Sequence, residues 1–305
     1  MVRLFGVVAV ALGATVALTG PSATTPTADR VTSGMVKVKG GELYYEMKGT
    51  GRPVVLLHAG LLDRRMWDGQ FDTFARHYRV IRYDARGHGM SSMPRGELCN
   101  YEDLHDLLVG LHVSHAALVG VSLGGRTAID FTLKYPKMVD ALVLANPGIS
   151  GWQFTDPVLA SYQKNLQAAA ERGDLDGYVE YFQRAWTDGP RRKPSDVDPH
   201  LRAAVRAMAR ENLTRLAASG NVKVVEVGAL SRLGEIHAPT LVIAGALDSS
   251  DILNIVGLLG AQVPGARKVM IPAAGHVVNM EQPAEFNRIV LEFLAGLDAQ
   301  PAPAR

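Results

Sequence analysis

The sequence predicts an α/β protein: a mostly parallel sheet flanked by helices and interrupted by an all-helical insertion. Three observations carry this. From residue 36 onward, short apolar runs alternate with longer amphipathic segments, as strands and crossover helices do in a parallel sheet. Most of these runs are apolar throughout rather than at every second residue, so both faces of each strand are expected to be covered by helices. Between Asn146-Pro147-Gly148 and Ala238-Pro239-Thr240 the alternation stops, and the pattern reads as helix with no convincing strand.

The chain has 305 residues, 47% of them hydrophobic, enough for a buried core. Its 32 basic and 30 acidic residues leave a formal net charge of +2, which supplies no broad attraction to nucleic acid or acidic surfaces. The Arg191-Arg192-Lys193 cluster is too short to change that and reads as a solvated loop. Cys99 is the single cysteine, so neither an intramolecular disulfide nor a cysteine-based metal cluster can form.

At the N-terminus, Arg3 precedes an apolar run from Leu4 to Leu18 and then a Ser/Thr/Ala/Pro-rich stretch to Ala28, the layout of an export signal. The run is short for a membrane span, and no stable span is expected. No clean A-x-A cleavage pattern follows it. The alternative is translation from Met35, which would place the protein in the cytoplasm. Residues 1–34 are therefore read as signal-like or disordered, and the core as residues 35–148 and 238–298.

Taken in order, Leu43 to Glu46 reads as an edge strand. The buried strands are Val54 to Leu57, Val80-Ile81, Ala117 to Val119, Ala141 to Leu144, Leu241 to Ile243 and Lys268 to Ile271. The insertion, residues 149–237, carries helical spacing over Pro157 to Glu171, Leu175 to Trp186 and Pro199 to Ala218, with breaks at Gly173 and Gly189-Pro190. Trp152, Phe154, Tyr162, Tyr178, Tyr181, Phe182 and Trp186 also fall there. Most are expected to form the insertion's own core, and a minority to face the sheet and line a cavity, since pockets favour such interfaces. The tail at 299–305 is expected to fray.

Gly120-Val121-Ser122-Leu123-Gly124 matches G-x-S-x-G and lies between an apolar run and the amphipathic segment Leu123 to Lys134, which Pro136 ends. A serine on so sharp a strand-to-helix turn is strained, and side chains at positions 120 and 124 would collide with their neighbours. Gly125 adds room for the helix to approach the sheet. Such a turn lifts the hydroxyl above the strand ends, where open α/β sheets bind their ligands.

A serine hydroxyl needs a base, and the base needs a carboxylate to hold its tautomer. His276, just after the strand ending at Ile271, and Asp248, just after the strand ending near Gly245, are the candidates. Asp251 is the rival acid, read instead as the cap of a helix starting near Ile252. His105, His112 and His115 lack any metal-ligand spacing, so no metal site is expected. The developing oxyanion requires backbone donors. Leu123 supplies one at the helix start, and the loop His58-Ala59-Gly60-Leu61 the other, with Gly60 first and Leu61 next. The pocket is expected to draw on Leu61, Trp152, Phe154, Trp186 and Val277.

From about Met35 to Leu297 the chain resembles the α/β-hydrolase superfamily. The motifs are Leu57-His58-Ala59-Gly60, Asp84-Ala85-Arg86-Gly87-His88-Gly89-Met90-Ser91, Gly120 to Gly125, Gly245 to Asp248, and Gly275-His276. The resemblance implies an eight-stranded sheet, a helical cap inserted after the sixth strand, the chain order Ser, Asp, His, catalysis without a cofactor, and an architectural role for the loop holding His88. One departure is Ala59, where the family's His-Gly motif has glycine. Relatives that displace halide or open epoxides carry aspartate at the elbow, so Ser122 argues against both. Within the serine branch the chain resembles carboxylesterases and lactonases such as 3-oxoadipate enol-lactonase, and less closely the carbon–carbon bond hydrolases. A small ester or lactone is the implied substrate. The other readings are a carbon–carbon hydrolase and a ligand-binding receptor with a hydrolase shell.

Overall fold

In a computed structural model, which describes residues 30–217, 220 and 222–299, eight strands form one sheet. In chain order they are β1 (Thr32–Val38), β2 (Gly41–Lys48), β3 (Pro53–Leu57), β4 (Arg79–Tyr83), β6 (Ala116–Val121), β7 (Val139–Ala145), β9 (Thr240–Gly245) and β10 (Arg267–Ile271). The spatial order is β1-β2-β4-β3-β6-β7-β9-β10. β2 pairs antiparallel with β1 and β4, and all other pairings in this sheet are parallel. Short β5 (Gly96–Leu98) and β8 (Val222–Val224) pair parallel in a second, two-stranded sheet.

The apolar strands are sandwiched between helices, as their uninterrupted hydrophobicity requires. Alternate residues serve opposite faces. Val54, Leu56, Val119, Val121 and Ile243 join Trp67, Phe71 and Phe74 around α1 (Asp68–Ala75) and Phe286 and Val290 of α9 (Pro283–Asp298). Val55, Leu57, Leu118, Leu144 and Val242 pack with Leu104, Leu107 and Leu108 of α2 (Asn100–Gly110), Phe131 of α3 (Leu123–Lys134), and Ile255 and Leu259 of α7 (Ser250–Gln262). Among the described residues the remaining α-helices are α4 (Pro157–Glu171), α5 (Leu175–Gln183) and α6 (Pro199–Leu216), all between β7 and β9, and the single turn α8 (Val278–Glu281).

Three expectations need correction. Leu43 to Glu46 lies in β2, which is paired on both sides; the edge is β1. That strand starts at Thr32, so the folded chain begins before the boundary at 35, and Met35 lies inside a paired strand. The connection between β7 and β9 is not purely helical, because Val222 to Val224 pair with Gly96 to Leu98, far away in sequence. Three residues are too short a run to establish a period. Residues 1–29, including the apolar run, and 300–305 lie outside the described residues. Among the described residues no helix is long and apolar enough to cross a membrane.

Candidate active site

β6 ends at Val121 and α3 starts at Leu123, leaving Ser122 alone to make the turn with φ 55° and ψ −112°. A β-carbon on Gly120 would run into the backbone of Gly124, and one on Gly124 into the Leu57 carbonyl. Glycine at both positions is therefore a steric requirement of the turn. The strain at Ser122, of order 1 to 3 kcal/mol for such a backbone, is held by Ser122 N–H donating to Ala145 O (3.2 Å) and by Arg126 and Gly148 N–H donating to Ser122 O (2.9 and 3.0 Å).

His276 and Asp248 leave neighbouring strand ends, β10 and β9, and meet. His276 Nδ1 lies 2.7 Å from Asp248 Oδ2, and both side chains are buried. The carboxylate can only accept, so Nδ1 carries the proton and Nε2 is the ring's basic nitrogen. Asp248 Oδ1 accepts from Ser249 N–H (2.7 Å), which orients the carboxylate. Ser122 and His276 both line a cavity of about 260 Å³, together with Gly60, Leu123, Trp152, Phe154, Phe182, Trp186, Thr187 and Val277.

In the loop after β3, Leu61 N–H donates to His88 Nε2 (3.2 Å) and Leu62 N–H to Ala59 O (3.2 Å), while the Gly60 amide joins none of these bonds. The Leu123 amide stands first in α3, where it has no partner in its own helix. Neither amide has a partner among the described residues, and Gly60 and Leu123 both line the cavity with Ser122. His88 stays neutral, its pKa pushed down to about 3 by burial and by neighbouring His58, which keeps Nε2 available to accept. His58 Nε2 likewise accepts from Ala85 N–H (2.9 Å), and the two imidazoles lie 4.9 Å apart. Both histidines tie the loop after β3 to the one after β4.

The structure brings Trp152, Phe154, Trp186 and Val277 to the cavity, as the sequence suggests, but not Leu61, whose place is taken by Leu62. Leu61 has φ 56°, and this local reversal hands the wall to the next residue. Trp186 packs on His276 with ring centroids 4.6 Å apart, and Phe154 meets Trp186 edge-on at 5.9 Å.

Asp251 does not cap α7; Ser249 does, its hydroxyl accepting from Ile252 N–H (3.4 Å). Nor does it reach His276. Its carboxylate accepts from Thr155 N–H (2.8 Å), Asp156 N–H (2.7 Å), Thr155 Oγ1 (3.2 Å) and Trp152 Nε1 (3.3 Å), latching the chain that enters the insertion.

Several contributors carry no motif. Asn146, buried with φ 40°, donates to Gly275 O (2.8 Å) and His276 O (2.9 Å) and accepts from Gly245 N–H (2.9 Å). One carboxamide therefore joins the ends of β7 and β9 to the histidine loop. Arg126, one helical turn beyond Ser122, and Glu226 form an ion pair of 2.8 Å on the cavity wall. The helical spacing of Arg126 from Ser122 is a signal that could have found it. Nothing local marks Glu226, and among the described residues no cluster of potential metal ligands occurs.

Sheet order, the strained serine turn and the converging strand-end loops define an α/β hydrolase, and the α/β hydrolase fold family matches residues 52–283. The chain belongs to that family. It is 31% identical over 263 residues to a 2-hydroxy-6-oxononadienedioate/2-hydroxy-6-oxononatrienedioate hydrolase of Burkholderia vietnamiensis, covering 83% of this chain and 90% of that protein. It is 28% identical over 259 residues to a pimeloyl-[acyl-carrier protein] methyl ester esterase of Pectobacterium carotovorum, covering 82% and 98%. A solved hydrolase from Pseudomonas aeruginosa PA01 is similar with TM-score 0.66 and 31% identity, covering 86% of this chain and 98% of that one.

Proposed function

We propose that the protein is a serine hydrolase that cleaves a small carboxylic ester or lactone through an acyl-enzyme on Ser122. The observation that carries this is the 2.7 Å contact between His276 and Asp248 at a cavity shared with Ser122 and flanked by the Gly60 and Leu123 amides. Ser122 Oγ attacks the carbonyl carbon while His276 Nε2 takes the hydroxyl proton. Asp248 stabilises the resulting imidazolium and the two amides receive the oxyanion. Collapse expels the alkoxide, which takes the proton from His276. Water, deprotonated by the same nitrogen, then attacks the acyl carbon and releases the acid, restoring Ser122. The insertion over 149–237 acts as the cap that shapes the substrate pocket, and the N-terminal segment carrying the apolar run from Leu4 to Leu18 serves as an export signal.

The test is hydrolysis of p-nitrophenyl butyrate by the wild type, Ser122→Ala and Asp248→Asn. Loss of at least about 10³-fold in kcat is expected for each. A Ser122→Ala protein of full activity would refute the reading. Labelling of Ser122 by a fluorophosphonate separates a hydrolase from an inert receptor. A second reading, carbon–carbon cleavage of a dienone acid, is favoured by the dienedioate hydrolase relative. Turnover of a dienone with no measurable esterase activity would select it.

A further inference from the structure

Thr187 lines the cavity and is wholly buried, yet its hydroxyl has no hydrogen-bond partner among the described residues. Other buried threonines do bond. Thr127 Oγ1 donates to Leu123 O (2.9 Å), Thr132 Oγ1 to Ala128 O (2.7 Å) and Thr240 Oγ1 to Ala238 O (2.8 Å). The first two use the carbonyl one α-helical turn back, the usual outlet for a helical threonine. Thr187 sits instead in a π-helical turn, Arg184–Asp188, and its hydroxyl does not take that outlet. Such turns recur at functional sites.

The turn is built to be rigid. Asp188 pairs with Arg202 (2.8 Å) and Arg184 (3.2 Å). Arg192 donates to Thr187 O (2.9 Å) and Asp188 O (2.7 Å), which satisfies the carbonyls the wide turn leaves over. The same guanidinium pairs with Glu281 (2.6 Å), whose other oxygen accepts from Gly275 N–H (2.9 Å) beside His276. The turn is thereby fixed to the histidine loop, with Trp186 packed on the imidazole. A buried hydroxyl without a partner among the described residues, in a turn held this firmly and lining the cavity beside Phe154, Phe182 and Trp186, is a place for one polar atom of a ligand.

We propose that Thr187 determines specificity by hydrogen-bonding a second oxygen function of the substrate, a hydroxyl, keto or carboxylate oxygen distinct from the scissile carbonyl. The substrate is thus an oxygenated ester or lactone rather than a plain hydrocarbon one. This rests on the reading of the Ser122 cavity as the substrate site.

The experiment separates binding from turnover. Dissociation constants are measured by ligand-observed NMR on the full-chain Ser122→Ala protein for three pairs. These are methyl mandelate and methyl phenylacetate, methyl hydroxyphenylacetate and methyl phenylacetate, and hydroxyethyl phenylacetate and ethyl phenylacetate. At least one hydroxylated member binds about fivefold tighter than its parent, the size of one net hydrogen bond. Adding Thr187→Val brings that ratio to one, and Thr187→Ser keeps it. Thr187→Ala, which also lacks the hydroxyl, replaces the valine variant if that one fails to melt cooperatively. Ratios of one in all three pairs, or a preference untouched by both Val and Ala, overturn the proposal. Turnover of the parent esters by the Ser122 protein reports separately on the hydrolase reading.

Discussion

The carboxamide of Asn146 holds the backbone of His276: Nδ2 lies 2.9 Å from the His276 carbonyl oxygen, and the same nitrogen reaches Gly275 O at 2.8 Å. Its Oδ1 accepts from Gly245 N–H, three residues before Asp248. The proposed base and its carboxylate are therefore registered to each other by a residue whose hydrogen bonds go to backbone rather than to either side chain.

Asn146→Asp keeps the acceptor but loses both donated bonds, so the histidine loop shifts. A fall of about 10- to 100-fold in kcat with KM little changed is expected, since a misplacement of about 1 Å suffices for such losses. Asn146→Ala also strands the Gly245 amide and adds strain at φ 40°, so it melts lower than Asn146→Asp. Steady-state kinetics with thermal melts checks both.

Asp251 and Asp156 form a reciprocal clasp. Asp251 receives two amides of the 152–156 segment, while Asp156 accepts from Ser250 N–H (3.1 Å) and Ser250 Oγ (2.7 Å). Asp251→Ala frees the Trp152 wall of the cavity and leaves two amides without partners. KM rises several-fold and stability drops by about 2 to 3 kcal/mol, while kcat falls far less than in Asp248→Asn. A kcat loss matching that of Asp248→Asn would make Asp251 the working acid.

Burial raises the carboxyl of Asp130 to about 6, against the hydrogen bond from Ser150 (2.6 Å) and with Glu226 adding repulsion. Because the folded value lies above the unfolded one near 3.8, the folded state holds its proton longer, and stability falls as pH rises from about 4 to 6. Asp130→Asn removes that loss, so its unfolding free energy gains on the wild type across this window and levels off above it. The gain at neutral pH is on the order of 3 kcal/mol at most. Urea unfolding at a series of pH values measures it. A constant difference from pH 4 to 8 would contradict the raised value.

A chain started at Met35 loses the pairings Thr32 with Met47, Ser33 with Glu46 and Gly34 with Tyr45 at the edge of the sheet. It is expected to melt about 2–5 °C below a chain started at Arg30. Calorimetry on the two purified proteins decides.

Runs such as Val54 to Leu57 and Leu241 to Ile243 were legible as buried strands because apolar continuity is a local property of the chain. Ser122 was legible because the spacing of its two glycines is itself local, although the Leu57 carbonyl that excludes a side chain at Gly124 is far away in the chain. Trp152, Phe154 and Trp186 were placed at the cavity by their position in the insertion, whereas Leu61 was misplaced, since one positive φ decides whether residue 61 or 62 faces inward.

By itself, the sequence determined the sheet's apolar strands, the serine turn and the two loops carrying His276 and Asp248, all set by short-range periodicity and steric need. Only the tertiary structure decided that His276 takes Asp248 while Asp251 clasps the insertion, that Asn146 registers the pair, and that the Thr187 hydroxyl has no partner among the described residues. Each of these joins groups far apart in the chain or lies in one π-helical turn, and neither leaves a local pattern.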